Sequence, residues 1–485
     1  MSNLKQEWFG NVRKDILAGM VVAIALIPEA IGFSILAGVD PMMGLYASFC
    51  IALITAFAGG RPGLISAATG AMALVLAGLV HKHGVEYMLA ATVLAGILQT
   101  ILGVFKVGNL LRFIPKPVMT GFVNALAILI FKAQLTYFEG AGISMYLLVA
   151  GGILIIYLFP KINKAIPAPL VAILVLSVIT IATKMEVSSI GDMGNIVGSL
   201  PRFVFPDIAF NMETLKIILP FSISLAIVGL VESMLTAQLV DELTDTQSNK
   251  NRECVGQGLA NVVSGFFGGM AGCAMIGQSV INFKSGGRRR LSTLTSGVFL
   301  MILIVAFNRW VVQIPIAALV AVMIIVSVTT FDWVSMKRMA KVPKSDTAVM
   351  LTTVAVVLVT DNLALGVVIG ILMSSIFFVN QISQVQVEKT ESQNKITYRC
   401  YGQLFFASTT HFLEKFDFDI SDQIIEIDVT HLKFWDESAG DTFDKLIMKY
   451  SDRHVRVKIE GLSEACEKIL ERTSVQYSIM PEYVD

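Results

Sequence analysis

Charged residues are scarce in this chain: only 15% of its 485 residues are Asp, Glu, Lys or Arg, while 55% are hydrophobic. A soluble protein of this size could not bury so much apolar surface, so the composition excludes an ordinary soluble enzyme. Basic and acidic residues are equal in number, 37 each. The chain therefore lacks the basic excess of a nucleic-acid-binding protein, and we expect no nucleic-acid partner.

Cysteine is also rare, and the five cysteines form no Cys-x-x-Cys pair and no Cys/His ligand spacing. This pattern gives no indication of a disulfide framework or a zinc site, and we predict no metal site. There is no GxxxxGK[ST] loop, so an ATP-driven pump is not indicated. No Ser/His/Asp arrangement stands out, and we predict that the protein is not an enzyme and holds no cofactor.

The chain instead contains roughly fourteen hydrophobic segments, most of them near the length of a membrane-spanning helix. A polytopic α-helical membrane protein is therefore predicted. The segments lie at 15–38, 41–58, 63–80, 86–106, 112–137, 144–159, 167–183, 214–238, 252–270, 274–285, 291–307, 311–329, 347–360 and 362–383.

The distribution of positive charge predicts the orientation. If the chain crosses at every segment from a cytoplasmic N-terminus, roughly nineteen Lys and Arg lie inside and about five lie outside. This asymmetry predicts that residues 1–14 and the C-terminus are cytoplasmic. We expect a transporter-like membrane domain over 15–385 in the plasma membrane.

After about residue 388 the composition changes. The runs "IIEIDVTHLKFWD" and "HVRVKIEGL" are typical of strands, and each is followed by a stretch with helical spacing. Alternating strands and helices predict a small soluble α/β domain over 390–485.

Spacing within the apolar region indicates an internal repeat. Two segments rich in small residues begin near 66 and 274, and the first and eighth segments begin near 15 and 214. Two halves of seven segments, about 15–183 and 214–383, would be inverted relative to each other. Such inverted repeats are typical of secondary transporters whose interrupted segments meet near the bilayer midplane. The alternative is that small residues only permit close helix packing; the matched pair favours a binding site.

Ionisable residues within the apolar segments are candidates for function. Glu232 lies among apolar residues, and Thr236 shares its helical face, so this pair is a candidate for binding a coupling ion or proton. A structural hydrogen bond is the alternative. Glu29 follows Pro28, and either lines a cavity or satisfies the interrupted backbone. Phe33 lies one turn further and either walls the cavity or packs in the core.

Three motifs resemble the SulP family of anion transporters. They are "ALIPEAIGFSILAGVDPMMGLYAS" (25–48), "GLVESMLTAQLVDELT" (229–244) and "INFKSGGRRRLS" (281–292). The C-terminal region resembles a STAS domain. The resemblance covers nearly the whole chain and implies a core domain that slides against a gate domain in a homodimer.

This resemblance also implies an anion site between the N-termini of the third and tenth helices. Helix N-termini attract anions through their partial positive charge and free N–H groups. The implied substrate-binding residues are Glu29, Phe33, Ala67, Ala68, Thr69, Gly70, Met275, Ile276, Gly277 and Gln278, with Glu232 and Thr236 for the coupling ion.

The expected function is secondary active transport of small anions such as sulfate, bicarbonate or dicarboxylates. Gln278 stands where animal relatives commonly carry Arg, and Glu29 stands where Gln is frequent. These departures favour proton-coupled symport by an elevator-type mechanism, with Na⁺ as the alternative coupling ion. Further alternatives are a sodium-coupled bicarbonate symporter, an uncoupled exchanger or channel, and a membrane sensor that signals through the STAS domain.

The STAS-like region carries a candidate regulatory position. In related domains a serine in an Asp-Ser-Ser-Gly loop is phosphorylated, whereas this chain has "DESAG" at 436–440. Glu437 takes the place of the phosphorylated serine, so we predict no phosphorylation switch there. Ser438 remains a candidate.

Overall fold

The computed structural model describes residues 2–163, 167–185, 187–193, 198–209, 211–392, 395–420 and 424–474. The chain forms two compact units, Met1–Ile371 and Leu372–Asp485.

Fourteen helices follow the order of the fourteen predicted segments. They are α1 (Val12–Ala37), α2 (Pro41–Ala58), α3 (Gly70–His83), α4 (Val85–Val104), α5 (Lys116–Leu135), α6 (Ile143–Ile162), α7 (Ala168–Thr183), α8 (Met212–Thr244), α9 (Lys250–Phe266), α10 (Ile276–Lys284), α11 (Arg290–Val311), α12 (Ile316–Thr330), α13 (Lys344–Thr360) and α14 (Leu363–Ile382). Within the described residues, nine helices are long and apolar enough to span a membrane. The predicted polytopic α-helical fold is confirmed.

Local sequence signals explain the sharp turn between α1 and α2. Gly38 ends α1 in the left-handed conformation, with φ of 75°. Asp40 then accepts a hydrogen bond from the Met42 N–H, and Pro41 occupies the first turn of α2. Glycine after a helix, a carboxylate cap and proline at the first position are the expected stop and start signals.

The packing of the helices reveals the predicted repeat. Several contacts between helices have an equivalent in which both helices are replaced by those seven positions away. The contact of α4 with α9 is matched by that of α11 with α2. The contact of α1 with α11 is matched by that of α8 with α4. Helices α5 with α13 and α12 with α6 form a third such pair. The first two pairs of contacts join helices α1–α4 to helices α8–α11, and we call these eight helices the core domain. The third lies within α5–α7 and α12–α14, which we call the gate domain.

Two predicted apolar segments are not simple helices. Residues Ser66–Ala68 form strand β1 before α3, and Gly272–Ala274 form strand β2 before α10. Helical periodicity gave no signal for these strands because each is only three residues long.

The C-terminal unit has a sheet of four strands in the order β3 (Gln386–Ser392), β4 (Lys395–Leu404), β5 (Ile424–Phe434), β6 (Arg456–Glu460). Strands β3 and β4 are antiparallel, while β4–β5 and β5–β6 are parallel. Helices α15 (Thr409–Leu413), α16 (Glu437–Ser451) and α17 (Glu464–Thr473) accompany the sheet. Tyr398, Phe412 and Phe443 lie fully buried in its core. The two strands and two helices predicted from 424 onward are present; the β3–β4 hairpin was not predicted.

Candidate functional site

The candidate site lies where α3 and α10 begin. Strands β1 and β2 pair antiparallel, with Ala67 opposite Cys273, and each strand leads directly into its helix. Thr69 and Met275 are the extended residues that precede the helices, and neither side chain caps its helix. The first N–H groups of both helices are therefore not satisfied by these side chains, which is the feature that suits an anion.

The two short strands pack so closely that β2 needs glycine at one position. A Cβ atom added at Gly272 would lie 2.1 Å from the Ala67 carbonyl oxygen. Ala67 and Ala68 are 0% and 1% exposed and lie in β1, behind the cavity wall rather than on it. Neither residue lines the cavity, and their predicted contact with the anion stays a prediction.

A cavity of about 140 Å³ lies beside the two helix starts. It brings together most of the predicted site residues from four separate elements. These are Glu29, Phe33, Thr69, Gly70, Glu232, Met275, Ile276, Gly277 and Gln278. Thr236 is fully buried and does not line this cavity. Its hydroxyl donates to the Glu232 carbonyl oxygen at 2.8 Å and lies 3.4 Å from the Ala274 carbonyl oxygen. Thr236 thus joins α8 to β2.

Sequence reasoning missed the opposite wall, which the gate domain supplies. Its residues are Phe122, Val123, Leu126 and Ile130 from α5 and Val326, Thr329 and Thr330 from α12. Phe122, Leu126 and Ile130 recur every four residues and so share one face of α5. That spacing was the available signal, but it is equally typical of ordinary helix packing.

The cavity carries negative side chains without matching positive ones. Glu29 and Glu232 both line it, and the cavity lining described here includes no Lys, Arg or His. Glu29 interacts with the side chain of Gln278. Glu232 accepts a hydrogen bond through Oε2 from the Cys273 thiol at 2.9 Å. An anion that enters beside two ionised carboxylates would be repelled, so the charge state of these groups governs what the cavity can hold.

Polar side chains behind the cavity hold the second half-site in place. The Asn261 amide accepts from the Gly272 N–H at 2.9 Å and donates to the Gly272 carbonyl at 3.0 Å. The Ala274 N–H donates to Ser233 Oγ at 3.1 Å. Because the strands are buried, these contacts satisfy backbone groups that water cannot reach.

The first half-site is held in the same way. Asn282 donates to the Gly63 carbonyl at 2.8 Å, and Gln257 donates to Ser66 Oγ at 2.6 Å. The Ala68 N–H lies 3.3 Å from Ser48 Oγ. Irregular backbone within an apolar region is thus stabilised by side chains on neighbouring helices.

The predicted regulatory residues lie at the start of α16. Asp436 caps this helix by accepting from the Ala439 N–H, and its Oδ2 accepts from the Phe406 N–H at 2.9 Å. Glu437 is exposed in the first turn, where a negative charge is favourable, and Ser438 is half-buried.

Comparisons with known proteins agree with this architecture. The model of the sulfate permease family matches residues 12–145 and 138–353, and the STAS domain model matches 385–483. YbaR of Bacillus subtilis (strain 168), which is named as a candidate sulfate transporter, is 56% identical over 97% of this chain and 98% of its own length.

A more distant relative and a solved structure of similar fold are also found. The bicarbonate transporter BicA of Picosynechococcus sp. is 29% identical over 79% of this chain and 73% of its own. The inward-facing structure of the murine anion transporter, solute carrier 26 family member A9, superposes with a TM-score of 0.85 at 16% identity. That superposition covers 97% of this chain and 89% of the murine chain.

Proposed function

This chain belongs to the sulfate permease family, and from that premise we propose that it is a secondary active transporter of small anions. Sulfate, bicarbonate and dicarboxylates are the candidate substrates, since relatives carry the names of sulfate and bicarbonate transporters. The observation that carries the proposal is the cavity at which α3 and α10 both begin. Two helix starts there offer N–H groups to one anion without a fixed positive charge.

Proton coupling follows from the charge of the cavity lining. Two carboxylates without a neighbouring cation disfavour an anion as long as both are ionised. Protonation of Glu232 removes one negative charge and admits the anion, so proton and anion cross together. A sodium ion bound to the carboxylate would remove the same repulsion, and ion replacement distinguishes the two.

An elevator-type movement is consistent with the walls of the cavity. The core domain supplies the polar contacts that hold the two half-sites. The gate wall is mostly apolar: Thr329 and Thr330 are its hydroxyl residues, beside Phe122, Val123, Leu126, Ile130 and Val326. Such a face offers few directional contacts that a sliding core would have to break. The core would carry the site across the membrane as a unit.

We also propose a homodimer in the plasma membrane with both termini and the STAS domain in the cytoplasm. The positive-inside asymmetry of the loops supports this orientation, and the family resemblance supports the dimer. The exposed carboxylate of Glu437 supports the absence of a phosphorylation switch at that position, with docking as the role of the domain.

The test is uptake into proteoliposomes against a panel of anions, each with an imposed proton or sodium gradient. We expect proton-driven accumulation by the wild-type protein. Glu232→Gln should abolish accumulation while the protein still inserts and dimerises, because the glutamine cannot exchange a proton. Glu242→Gln, at an exposed site on the same helix, is the matched control and should accumulate the anion normally.

Full gradient-driven uptake by Glu232→Gln would contradict the coupling role. Accumulation driven only by sodium would replace the proton with sodium. Unitary currents without accumulation would indicate a channel, and anion binding without any flux would indicate a sensor.

A further inference from the structure

Three side chains from three elements form a continuous hydrogen-bonded chain at the cavity. Thr69 Oγ1, which precedes α3, lies 3.1 Å from Cys273 Sγ at the centre of β2. The same sulfur lies 2.9 Å from Glu232 Oε2 on α8. Thr69 and Glu232 both line the cavity, whereas Cys273 is fully buried between them.

We propose that Cys273 is a positioning residue that links the protonation of Glu232 to the anion-binding hydroxyl of Thr69. The proposal rests on the proposed function, in which Glu232 carries the coupling proton. Once Glu232 has taken up a proton from solution, the link requires only rotation of one O–H and one S–H bond, and no other covalent bond forms or breaks.

In the ionised state every hydrogen bond points towards Glu232. A carboxylate only accepts, so the thiol donates to Oε2. The sulfur is then left as an acceptor, and the Thr69 hydroxyl donates to it. The hydroxyl hydrogen of Thr69 is therefore directed away from the cavity, and the cavity side of Thr69 presents an oxygen lone pair that disfavours an anion.

Protonation reverses the direction of the chain. A neutral Glu232 donates its new O–H to the sulfur, and the thiol donates to Thr69 Oγ1, since a hydroxyl has both donor and acceptor capacity. The hydroxyl hydrogen of Thr69 is then free to donate to an anion at the start of α3. One proton thus removes a negative charge from the lining and adds an anion donor several ångströms away.

The described surroundings offer Thr69 and Glu232 few other hydrogen-bond or charge partners. The Thr69 side chain makes no capping hydrogen bond with α3. Cys273 is the titratable group that contacts Glu232, and Glu29 of α1 shares its cavity. The charged groups on the helices packed against α8 lie at their ends: His81, Lys82 and His83 in α3, Glu86 in α4, Lys250, Arg252 and Glu253 in α9, and Lys284 in α10.

The experiment measures equilibrium binding of sulfate and of fumarate to the purified full-length protein between pH 5.5 and 8.5. Both anions keep a charge of two across this range, so any change in affinity arises in the protein. For the wild-type protein we expect tighter binding as pH falls. Cys273→Ala and Thr69→Val should each weaken binding about tenfold at low pH, the worth of one hydrogen bond to a charged group, and leave the weak binding at high pH unchanged.

Two further results follow from a connected chain. The double variant should be no weaker than either single variant, because both break the same chain. Cys273→Ser and Thr69→Ser should keep the full wild-type pH dependence, since serine both donates and accepts. Cys254→Ala, a buried cysteine that packs on Leu230 and Met234 of α8, is the control and should keep the wild-type pH dependence.

Weakening by the same factor at both ends of the pH range, or additive losses in the double variant, would show a merely structural role and overturn the proposal. If Cys273→Ala fails to fold, Thr69→Val and Thr69→Ser carry the test alone. A wild-type protein that binds neither anion at any pH and takes up no anion of the proteoliposome panel would overturn the proposed function itself. If proton-driven uptake is present but the pH dependence of anion binding is unaltered in Thr69→Val, only the proposed link through Cys273 would be overturned.

Discussion

The two helix starts that face the cavity occupy equivalent places in the two halves but are built differently. Gly70 at the start of α3 is tightly enclosed: an added Cβ atom would lie 2.9 Å from both Phe33 Cε1 and Ile130 Cδ1. Gly277 at the start of α10 has open space within 4 Å. The two starts thus differ in their surroundings: an added side chain at Gly70 would meet Phe33 and Ile130, whereas one at Gly277, the residue after Ile276, would meet open space.

The largest expected effect on anion uptake is the difference between alanine substitutions at the two glycines. Gly70→Ala forces a methyl group against Phe33 and Ile130, and such overpacking costs about 1–3 kcal/mol unless neighbours move into the cavity. We expect anion uptake to fall below detection. Gly277→Ala should retain uptake within a factor of about two, because the methyl group meets no close neighbour. Proteoliposome uptake at matched protein density tests both; equal losses would contradict the asymmetry.

A smaller effect is expected from the side chains that hold the two half-sites. Asn261→Leu leaves the buried N–H and C=O of Gly272 unpaired, and each lost partner costs about 1–3 kcal/mol. Asn282→Leu leaves the Gly63 carbonyl and the Ser292 hydroxyl without this amide, and only one of these is a backbone group. We therefore expect Asn261→Leu to lower the melting temperature in detergent more than Asn282→Leu. The reverse order would show that the first half-site depends more on side-chain support.

The smallest expected effect is on anion affinity, when a positive charge is added on the α10 side of the cavity. Gln278→Arg places a fixed positive charge on the α10 side, beside Glu29. This charge offsets part of the carboxylate repulsion without a proton, so anion affinity at high pH should rise several-fold and its pH dependence should shrink. Sulfate binding between pH 5.5 and 8.5 measures it, with Gln238→Arg near the C-terminal end of α8 as the charge-matched control. An unchanged pH dependence would argue against electrostatic repulsion as the basis of coupling.

Much of the architecture was predictable because the apolar runs are strong and regular. All the predicted segments correspond to helices. The repeat offset correctly paired the two starts. Glu29 and Glu232 were singled out because a carboxylate within an apolar run is unusual, and Phe33 because it lies one turn beyond Glu29. The placement of Ala67, Ala68 and Thr236 behind the cavity wall was not predictable, since small or hydroxyl side chains suit packing and binding equally well.

The gate wall and strand β3 could not be predicted from the sequence for a different reason. Phe122, Leu126 and Val326 have the same local pattern as lipid-facing or packed residues, and their role arises only from what faces them. In the C-terminal unit, β3 is almost wholly exposed and lacks the apolar alternation that marks a strand. Its pairing with β4 supplies the order that its own side chains do not.

By itself, the sequence determined that the chain is a helical membrane protein with an internal repeat, two interrupted segments and a C-terminal α/β domain. Hydropathy, charge asymmetry and residue size are properties of single positions or of regular spacing, so they can be recognised in the sequence without knowledge of the fold. The tertiary structure alone decided that Thr69, Cys273 and Glu232 touch, that Asn261 clamps Gly272 and that the gate closes the cavity. Hydrogen bonds form over about 3 Å. Thr69 and Cys273 are 204 positions apart in the chain and Cys273 and Glu232 are 41 apart, so these pairs reach that distance only through packing.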